Sequence, residues 1–144
     1  MRCKLAVAAM ALTLAAAAHA EGLDVIKIRQ AGQDLVLGDF AGIRAVVMLK
    51  GDVKTLQKPA LALARWMTDF PEMFPPGSDK GDNTKALPAI WTDNAGFRKD
   101  AANFVEAANA LAESAKAGDA TGVAKQIQSV SDACSACHHA FRAQ

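Results

Sequence analysis

The chain has 144 residues, of which 51% are hydrophobic, with 16 basic and 15 acidic side chains. This near-neutral balance gives no support for binding to nucleic acids or to anionic membrane surfaces, which select for clustered positive charge. The length fits one domain with a single hydrophobic core.

The first twenty residues have the pattern of a secretory signal peptide. A short positive start at Arg2 and Lys4 precedes an uncharged apolar run and the small residues of Ala18-His19-Ala20. The apolar run is too short for a membrane span. We therefore expect cleavage after Ala20 and export to the periplasm, with an uncleaved membrane anchor as the alternative.

Cleavage would leave residues 21–144 as the mature domain and would concentrate its soft ligands in one place. It removes two basic residues, so 14 remain against 15 acidic ones and the net charge becomes −1. It also removes Cys3 and His19, so the remaining cysteines and histidines all lie within residues 134–139. A disulfide there would close a very short loop and would add little stability.

The first predicted helix runs from residue 24 to about residue 50, because its hydrophobic residues recur at helical spacing. Gly51 and Asp52 would end it. The residues expected on its buried face are Val25, Ile28, Leu35, Val36, Phe40, Ile43 and Val47.

The second predicted helix covers residues 53–70, with Pro59 early enough to be tolerated. Its buried face is expected to hold Leu56, Leu63, Met67 and Phe70. Residues 71–90 then contain four prolines and two glycines, which predict a long connection. Loops of this length often contribute to a functional site.

The third predicted helix starts at Thr92 or Asp93 and ends at Gly118, and the fourth starts at Asp119 or Thr121. No segment alternates with the two-residue period of a strand. Four amphipathic helices predict an all-α, antiparallel up-down four-helix bundle. The expected buried residues are Phe97, Ala101, Phe104, Ala108 and Leu111 in the third helix, and Val123, Ile127, Val130, Cys134, Cys137 and Phe141 in the fourth.

The segment CSACHHAF at residues 134–141 carries the chemistry. Cys134, Cys137 and His138 stand at positions i, i+3 and i+4, which share one face of a helix. That face is also the apolar one, so we expect both thiols and the imidazole to point into the bundle. His139 is rotated by about 100° and is expected at the surface.

A C-x-x-C pair can begin a zinc site, a redox-active dithiol or a covalent haem attachment. A closed zinc site needs four ligands, and the chain has no second cluster to supply them. A redox dithiol usually opens a helix after a strand, whereas this pair lies near a helix end. Two thiols at this spacing can form thioethers to haem, and the next histidine can bind the iron. Haem c is therefore favoured, with zinc and a dithiol as alternatives.

Three segments, in order, resemble the class II c-type cytochromes, the cytochrome c′ family. VIKIRQ resembles the family's V-x-K-x-R-Q on the first helix, and FPPGSDKGDNTKALPAIW resembles its Phe, Pro and Gly loop leading to Ile-Trp. CSACHHAFR resembles its C-x-x-C-H followed by an aromatic residue and an arginine. The resemblance covers essentially the whole mature chain and implies a four-helix bundle that encloses one covalently attached haem c.

The resemblance also implies roles for individual residues around the haem. For the two positions in the loop and near the C-terminus, Asp82 and Arg142, an ordinary surface charge is the alternative. The implied roles are thioether attachment at Cys134 and Cys137, proximal iron ligation at His138, and haem-side contacts at Arg29, Gln30, Asp82 and Arg142.

The chain departs from the family pattern at the distal position, four residues after the arginine of the Arg-Gln pair. High-spin family members have an apolar residue there and low-spin members have methionine, but this chain has Gln33. Met48 is fifteen residues further on, about 22 Å along the helix, and is too far to substitute. We expect Met67 and Met73 to be core and loop residues.

Two roles are open for Gln33. Its amide either reaches over the iron toward water or a diatomic ligand, or turns to solvent or Arg29. In the second case Val36, Leu37 or Phe40 would cover the distal side. We expect an open or water-bound sixth position, because no strong sixth ligand is visible in the sequence.

These features predict a periplasmic monohaem c-type cytochrome that acts in electron transfer and is not an enzyme. The first alternative is a haem protein that binds NO or CO for sequestration or sensing, and the second is a haem-free C-x-x-C oxidoreductase. The expected partners are haem, an unidentified periplasmic redox protein and, by resemblance, a second copy of the chain docked through the first helices. Nucleic acid and, after signal cleavage, a membrane span are not expected.

Overall fold

The computed structural model describes residues 24–144, so the predicted signal peptide and the start of the mature domain lie outside the described residues. Four long helices and one single-turn helix make up this part of the chain. They are α1 (Val25–Met48), α2 (Gln57–Asp69), the single turn α3 (Ala89–Thr92), α4 (Asn94–Ala117) and α5 (Ala120–Phe141). The four long helices form the predicted bundle, and residues 24–144 contain no β-strand and no helix long and apolar enough to cross a membrane.

Aspartate side chains begin three of the long helices. The carboxylates of Asp24, Asp93 and Asp119 accept hydrogen bonds from backbone N–H groups in the first turns of α1, α4 and α5. Gly118 ends α4 with a φ angle of 74°, a left-handed conformation that glycine adopts without strain. The predicted starts of α1, α4 and α5 and the predicted stop of α4 are confirmed, and Asp93 and Asp119 are the caps among the candidates.

The region around α2 has more substructure than predicted. The first four residues of the predicted second helix form a separate 3-10 turn, Val53–Leu56, and the α-helix α2 begins at Gln57. Pro59 thus falls in the first turn, where an amide N–H has no partner inside the helix in any case. The predicted connection also begins with a 3-10 turn, Phe70–Met73, and ends in α3.

The core forms mainly where α4 packs against α2 and α5. All the residues predicted on the buried faces of the second and third helices are buried, which confirms those two faces. An aromatic cluster joins the elements: the ring of Phe97 lies 5.0 Å from that of Phe74 and 5.3 Å from that of Phe141, both edge to face.

The buried face of α1 differs from the predicted one. Ile28 and Leu35 are 37% and 75% exposed, so their assignment to this face is wrong. Ile26, Arg29 and Gly32 are buried instead. A count of hydrophobic periodicity cannot identify an arginine and a glycine as buried, because their burial depends on partners elsewhere in the chain.

Candidate functional site

A cavity of about 420 Å³ separates α1 from the C-terminal half of α5. Its volume is typical of sites for small molecules and cofactors. The cavity exists because α1 packs against α2 but touches α5 only sparsely. Its walls are rich in aromatic side chains, namely Phe40, Phe70, Phe74, Phe97, Phe104 and Phe141.

The two cysteines and the following histidine lie together on one wall of this cavity. Cys134, Cys137 and His138 all line it, and they stand on one face of α5. Both thiols are partly buried, whereas His138 is more exposed at the rim. His139 is exposed and does not line the cavity.

The environment of the thiols disfavours a redox-active dithiol. Burial raises the pKa of Cys134, and burial followed by the negative charges of Asp100 and Cys134 raises the pKa of Cys137 to about 11. Reactive dithiols need the opposite, a thiol pKa lowered toward neutrality. Across residues 24–144, no group of three or more His, Cys, Asp and Glu side chains is arranged to hold a metal ion, so a zinc site has no support there.

The imidazole of His138 is suited to bind a metal of a cofactor. Burial and then the positive charge of Arg142 lower the pKa of His138, which keeps the ring neutral at pH 7. Neutral imidazole is the form that binds iron. Two uncharged thiols, a neutral imidazole and apolar walls together fit covalently attached haem c.

Arg29 is 3% exposed and fixes the loop that closes one end of the cavity. Its Nη1 atom donates hydrogen bonds to the carbonyl oxygen of Met73 at 3.1 Å and to Ser78 Oγ at 2.9 Å. Its Nη2 atom donates to the carbonyl oxygen of Ser78 at 2.6 Å and to Thr84 Oγ1 at 2.8 Å. The guanidinium also stands 4.3 Å from the ring centre of Phe74. Burial lowers the pKa of Arg29 from its usual value.

Gln30 and Asp82 meet through the backbone of the loop. Gln30 lines the cavity, and its Nε2 atom donates to the carbonyl oxygen of Asp82 at 2.9 Å. The carboxylate of Asp82 faces Lys27, with its Oδ1 atom 3.5 Å from the Lys27 ammonium, and does not line the cavity. Asp82 therefore positions Gln30 in this structure.

Gln33 also lines the cavity, and its side chain turns toward Met67. The distance from Gln33 Nε2 to Met67 Sδ is 3.7 Å. Met67 is 7% exposed, so it is a core residue as predicted, but it lines the cavity as well. The sequence did not indicate that second role, because the pairing depends on how α1 and α2 pack. Met48 is 77% exposed and lies outside the cavity.

The loop also pairs with the end of α5, beside the predicted haem ligand. Arg142 lines the cavity rim, and its backbone forms an isolated antiparallel bridge with Ala86. The amide of Leu87 donates to the carbonyl oxygen of Phe141 at 3.0 Å, and the amide of Ala143 donates to the carbonyl oxygen of Lys85 at 2.8 Å. One loop thus contacts both walls of the cavity, at α1 and at α5.

Comparisons with known proteins place this arrangement among haem proteins. A family model described as Cytochrome C′ matches residues 24–142. The cytochrome c′ of Rubrivivax gelatinosus is 33% identical over 122 residues, which cover 83% of this chain and 94% of the relative. That of Allochromatium vinosum is 35% identical over 144 residues, which cover 94% and 92%.

Solved structures agree with this assignment. A nitric oxide complex of a mutant cytochrome c prime from Alcaligenes xylosoxidans superposes with a TM-score of 0.75 at 28% identity, covering 84% of this chain and 94% of that one. A cytochrome c′ described as having ligand-controlled dimer dissociation superposes with a TM-score of 0.78 at 29% identity, covering 84% and 95%.

Proposed function

The chain belongs to the cytochrome c′ family, and from its site we propose that it is a periplasmic monohaem c-type cytochrome that transfers electrons without turning over a substrate. The family binds a covalently attached c-type haem. The observation that carries the proposal is the placement of Cys134, Cys137 and His138 on the wall of one largely apolar cavity. When bound there, haem supplies reversible one-electron chemistry.

The chain's own residues would attach, orient and shield the haem. Cys134 and Cys137 would hold it covalently, and His138 would ligate the iron through a neutral imidazole. The aromatic walls would limit access of water, which affects the reduction potential. Arg29 and Gln30 would keep the loop in place beside the haem.

We further propose that the sixth coordination position is open or water-bound. The wall contributed by α1 presents Val36, Leu37 and Phe40 together with Gln33, and none of these is a strong iron ligand. The thioether of Met67 also lines the cavity, but its sulfur accepts a hydrogen bond from the side-chain amide of Gln33. This engagement supports a site in which His138 is the one protein ligand.

Reversible binding of NO or CO, for sequestration or sensing, is the second candidate function. An open distal side favours it, and a similar structure is a nitric oxide complex. The two functions place different demands on the site. Gas binding requires an open sixth position, whereas electron transfer does not. A shift of the Soret band when NO is added would be consistent with both functions, and its absence would rule out gas binding.

Export and self-association complete the proposal. The signal-peptide pattern of residues 1–20 supports a periplasmic location. A homodimer through α1 is supported by Leu35 and Leu37, which are 75% and 68% exposed on that helix, and by the similar cytochrome c′ that shows ligand-controlled dimer dissociation.

Expression of the full chain in a host that matures c-type cytochromes tests the proposed function. We expect one haem per chain in the periplasmic fraction, retained under denaturing conditions, with a pyridine haemochrome typical of two thioether bonds. Cys134→Ser should change the haemochrome band to that of a single thioether. A periplasmic protein that carries no covalent haem would refute the proposal.

A further inference from the structure

We propose that Gln33 determines which small ligands the cavity accepts, by offering its side-chain amide as a hydrogen-bond donor to a polar or anionic ligand. This inference rests on the proposed haem site and on its open sixth position. It concerns a residue in which the chain departs from its family, so it does not follow from membership alone.

Three side chains of α1 bring N–H donors to the cavity, and only one of them lacks an oxygen acceptor within residues 24–144. Arg29 donates four hydrogen bonds to oxygen atoms at 2.6 to 3.1 Å. Gln30 donates to the Asp82 carbonyl at 2.9 Å. Gln33 donates to the thioether sulfur of Met67 at 3.7 Å. Gln30, like Gln33, retains a second N–H, but Gln30 and Arg29 are held by loop oxygens, whereas Gln33 is held only by sulfur and is the donor most free to reorient toward a ligand.

The contact with sulfur leaves the amide ready for a better acceptor. A thioether is a weak acceptor, whereas hydrogen bonds to a charged acceptor are about twice as strong as neutral ones. The amide of Gln33 has two N–H groups, so a ligand can accept one while sulfur retains the other. Met67 is nearly buried and therefore restricts the position of the amide.

The surroundings of Gln33 increase the effect of a single donor. Its neighbours on the same wall include the apolar Val36, Leu37 and Phe40, and hydrogen bonds are electrostatically stronger where water is scarce. Asp34, the next residue in the chain, also lines the cavity, but its carboxylate would repel an anion. On this wall the positive charge of Arg29 also attracts an anion, but its guanidinium is hydrogen-bonded to the loop, whereas the Gln33 amide can turn to a ligand.

The remaining charges of the cavity come from other elements. The cationic side chains of Lys85 and Arg142 belong to the loop and to the end of α5, which pair with each other beside His138. Asp100 of α4 lies near Cys137 and is anionic. None of these groups belongs to α1, so none of them donates a hydrogen bond from the wall that carries Gln33.

Ligands that differ in acceptor strength therefore test the inference. Fluoride binds ferric haem and accepts hydrogen bonds strongly, whereas carbon monoxide binds ferrous haem and accepts them weakly. In the haem-loaded protein, Gln33→Leu should weaken fluoride binding about three- to tenfold, the value of one hydrogen bond. It should change the affinity for carbon monoxide less, and it should raise the C–O stretching frequency in the infrared.

Two further variants separate the donor from general effects on the fold. Gln33→Glu keeps the length of the side chain but replaces the donor with a carboxylate, and it should weaken fluoride binding at least as much as Gln33→Leu does. Gln126→Leu makes the same amide-to-leucine change on α5, away from this cavity, and should alter neither measurement.

The outcomes distinguish this inference from the proposed function. If the wild-type protein carries haem and binds both probes, and Gln33→Leu leaves fluoride affinity and the C–O stretch unchanged, the inference fails and the proposed function stands. If the haem-loaded wild-type protein binds neither probe, the open sixth position and the inference fail together. Weaker fluoride binding in both Gln33→Leu and Gln33→Glu, with no change in Gln126→Leu, supports the inference.

Discussion

Arg29 is a buried cation whose hydrogen bonds all go to neutral oxygen atoms in residues 24–144. Its planar guanidinium reaches several acceptors at once, which a lysine ammonium cannot do from one point. The side chain therefore ties α1 to the loop. This contact places Gln30 and the cavity wall relative to the loop residues that pair with the end of α5.

Arg29→Lys should lower the free energy of unfolding of the haem-loaded protein by about 2 to 4 kcal/mol, because buried acceptors lose their donors. Urea denaturation followed by circular dichroism measures this change. Arg44→Lys, at an exposed position of the same helix, is the control and should stay within about 0.5 kcal/mol of wild type. Equal stability of the two variants would show that the hydrogen bonds of Arg29 are dispensable.

At the scale of single residues, the sequence predicted the shared placement of the α5 residues better than the arrangement of the opposite wall. Cys134, Cys137 and His138 follow from helical spacing alone, because they lie within two turns of one helix. The contact between Gln33 and Met67 joins residues that are 34 positions apart. Only the packing of α1 on α2 brings them together, and no local pattern contains that information.

The docking of α1 on α2 depends on a close approach at Gly32. The indole ring of Trp66 packs directly over this glycine, and a Cβ atom at position 32 would overlap the ring. The indole N–H of Trp66 is buried without a hydrogen-bond partner in the described part of the chain, so shape rather than hydrogen bonding holds the contact. Gly38, by contrast, has open space where a Cβ atom would lie.

Substitution by alanine should therefore have opposite effects at Gly32 and Gly38 of α1. Gly32→Ala should destabilise the protein by about 1 to 3 kcal/mol, because the added methyl group forces the helices apart. Gly38→Ala should stabilise it by about 0.5 to 1 kcal/mol, because alanine loses less conformational entropy in a helix. Urea unfolding at low protein concentration measures both, and a stabilising Gly32→Ala would contradict the close packing.

At the scale of elements, helix ends and two buried faces were predictable because local rules determine them. Asp93, Gly118 and Asp119 act through neighbouring backbone groups. The buried face of α1 was predicted less well, since the cavity and the loop replace a continuous hydrophobic neighbour. Leu35 is exposed and does not line the cavity, although it has helical spacing from the other hydrophobic residues.

In the whole molecule, α1 is the long helix that depends most on what fills the cavity. α4 packs extensively against both α2 and α5, whereas α1 makes most of its helix contacts with α2. A haem that packs against the cavity walls only in the folded state adds apolar contacts that unfolding would break. Apart from sparse direct contacts, α1 is connected to α5 through the loop, which is bonded to Arg29 and to the end of α5.

A variant that cannot attach haem should therefore loosen α1 first. In Cys134→Ser/Cys137→Ser, amide hydrogens in α1 should exchange much faster than in the haem-loaded protein, while those of α4 keep most of their protection. Hydrogen exchange with mass spectrometry compares the two forms directly. Uniform loss of protection across α1 and α4 would mean that the bundle unfolds as one unit.

Electron paramagnetic resonance of the ferric, haem-loaded protein tests the central claim most directly, because it reports the ligands of the iron. With His138 as the only protein ligand and an open or water-bound sixth position, we expect a high-spin signal near neutral pH. A low-spin signal would show that a second protein side chain binds the iron and would contradict the account. Met67 would then be the first residue to replace, since its sulfur is the one thioether that lines the cavity in residues 24–144.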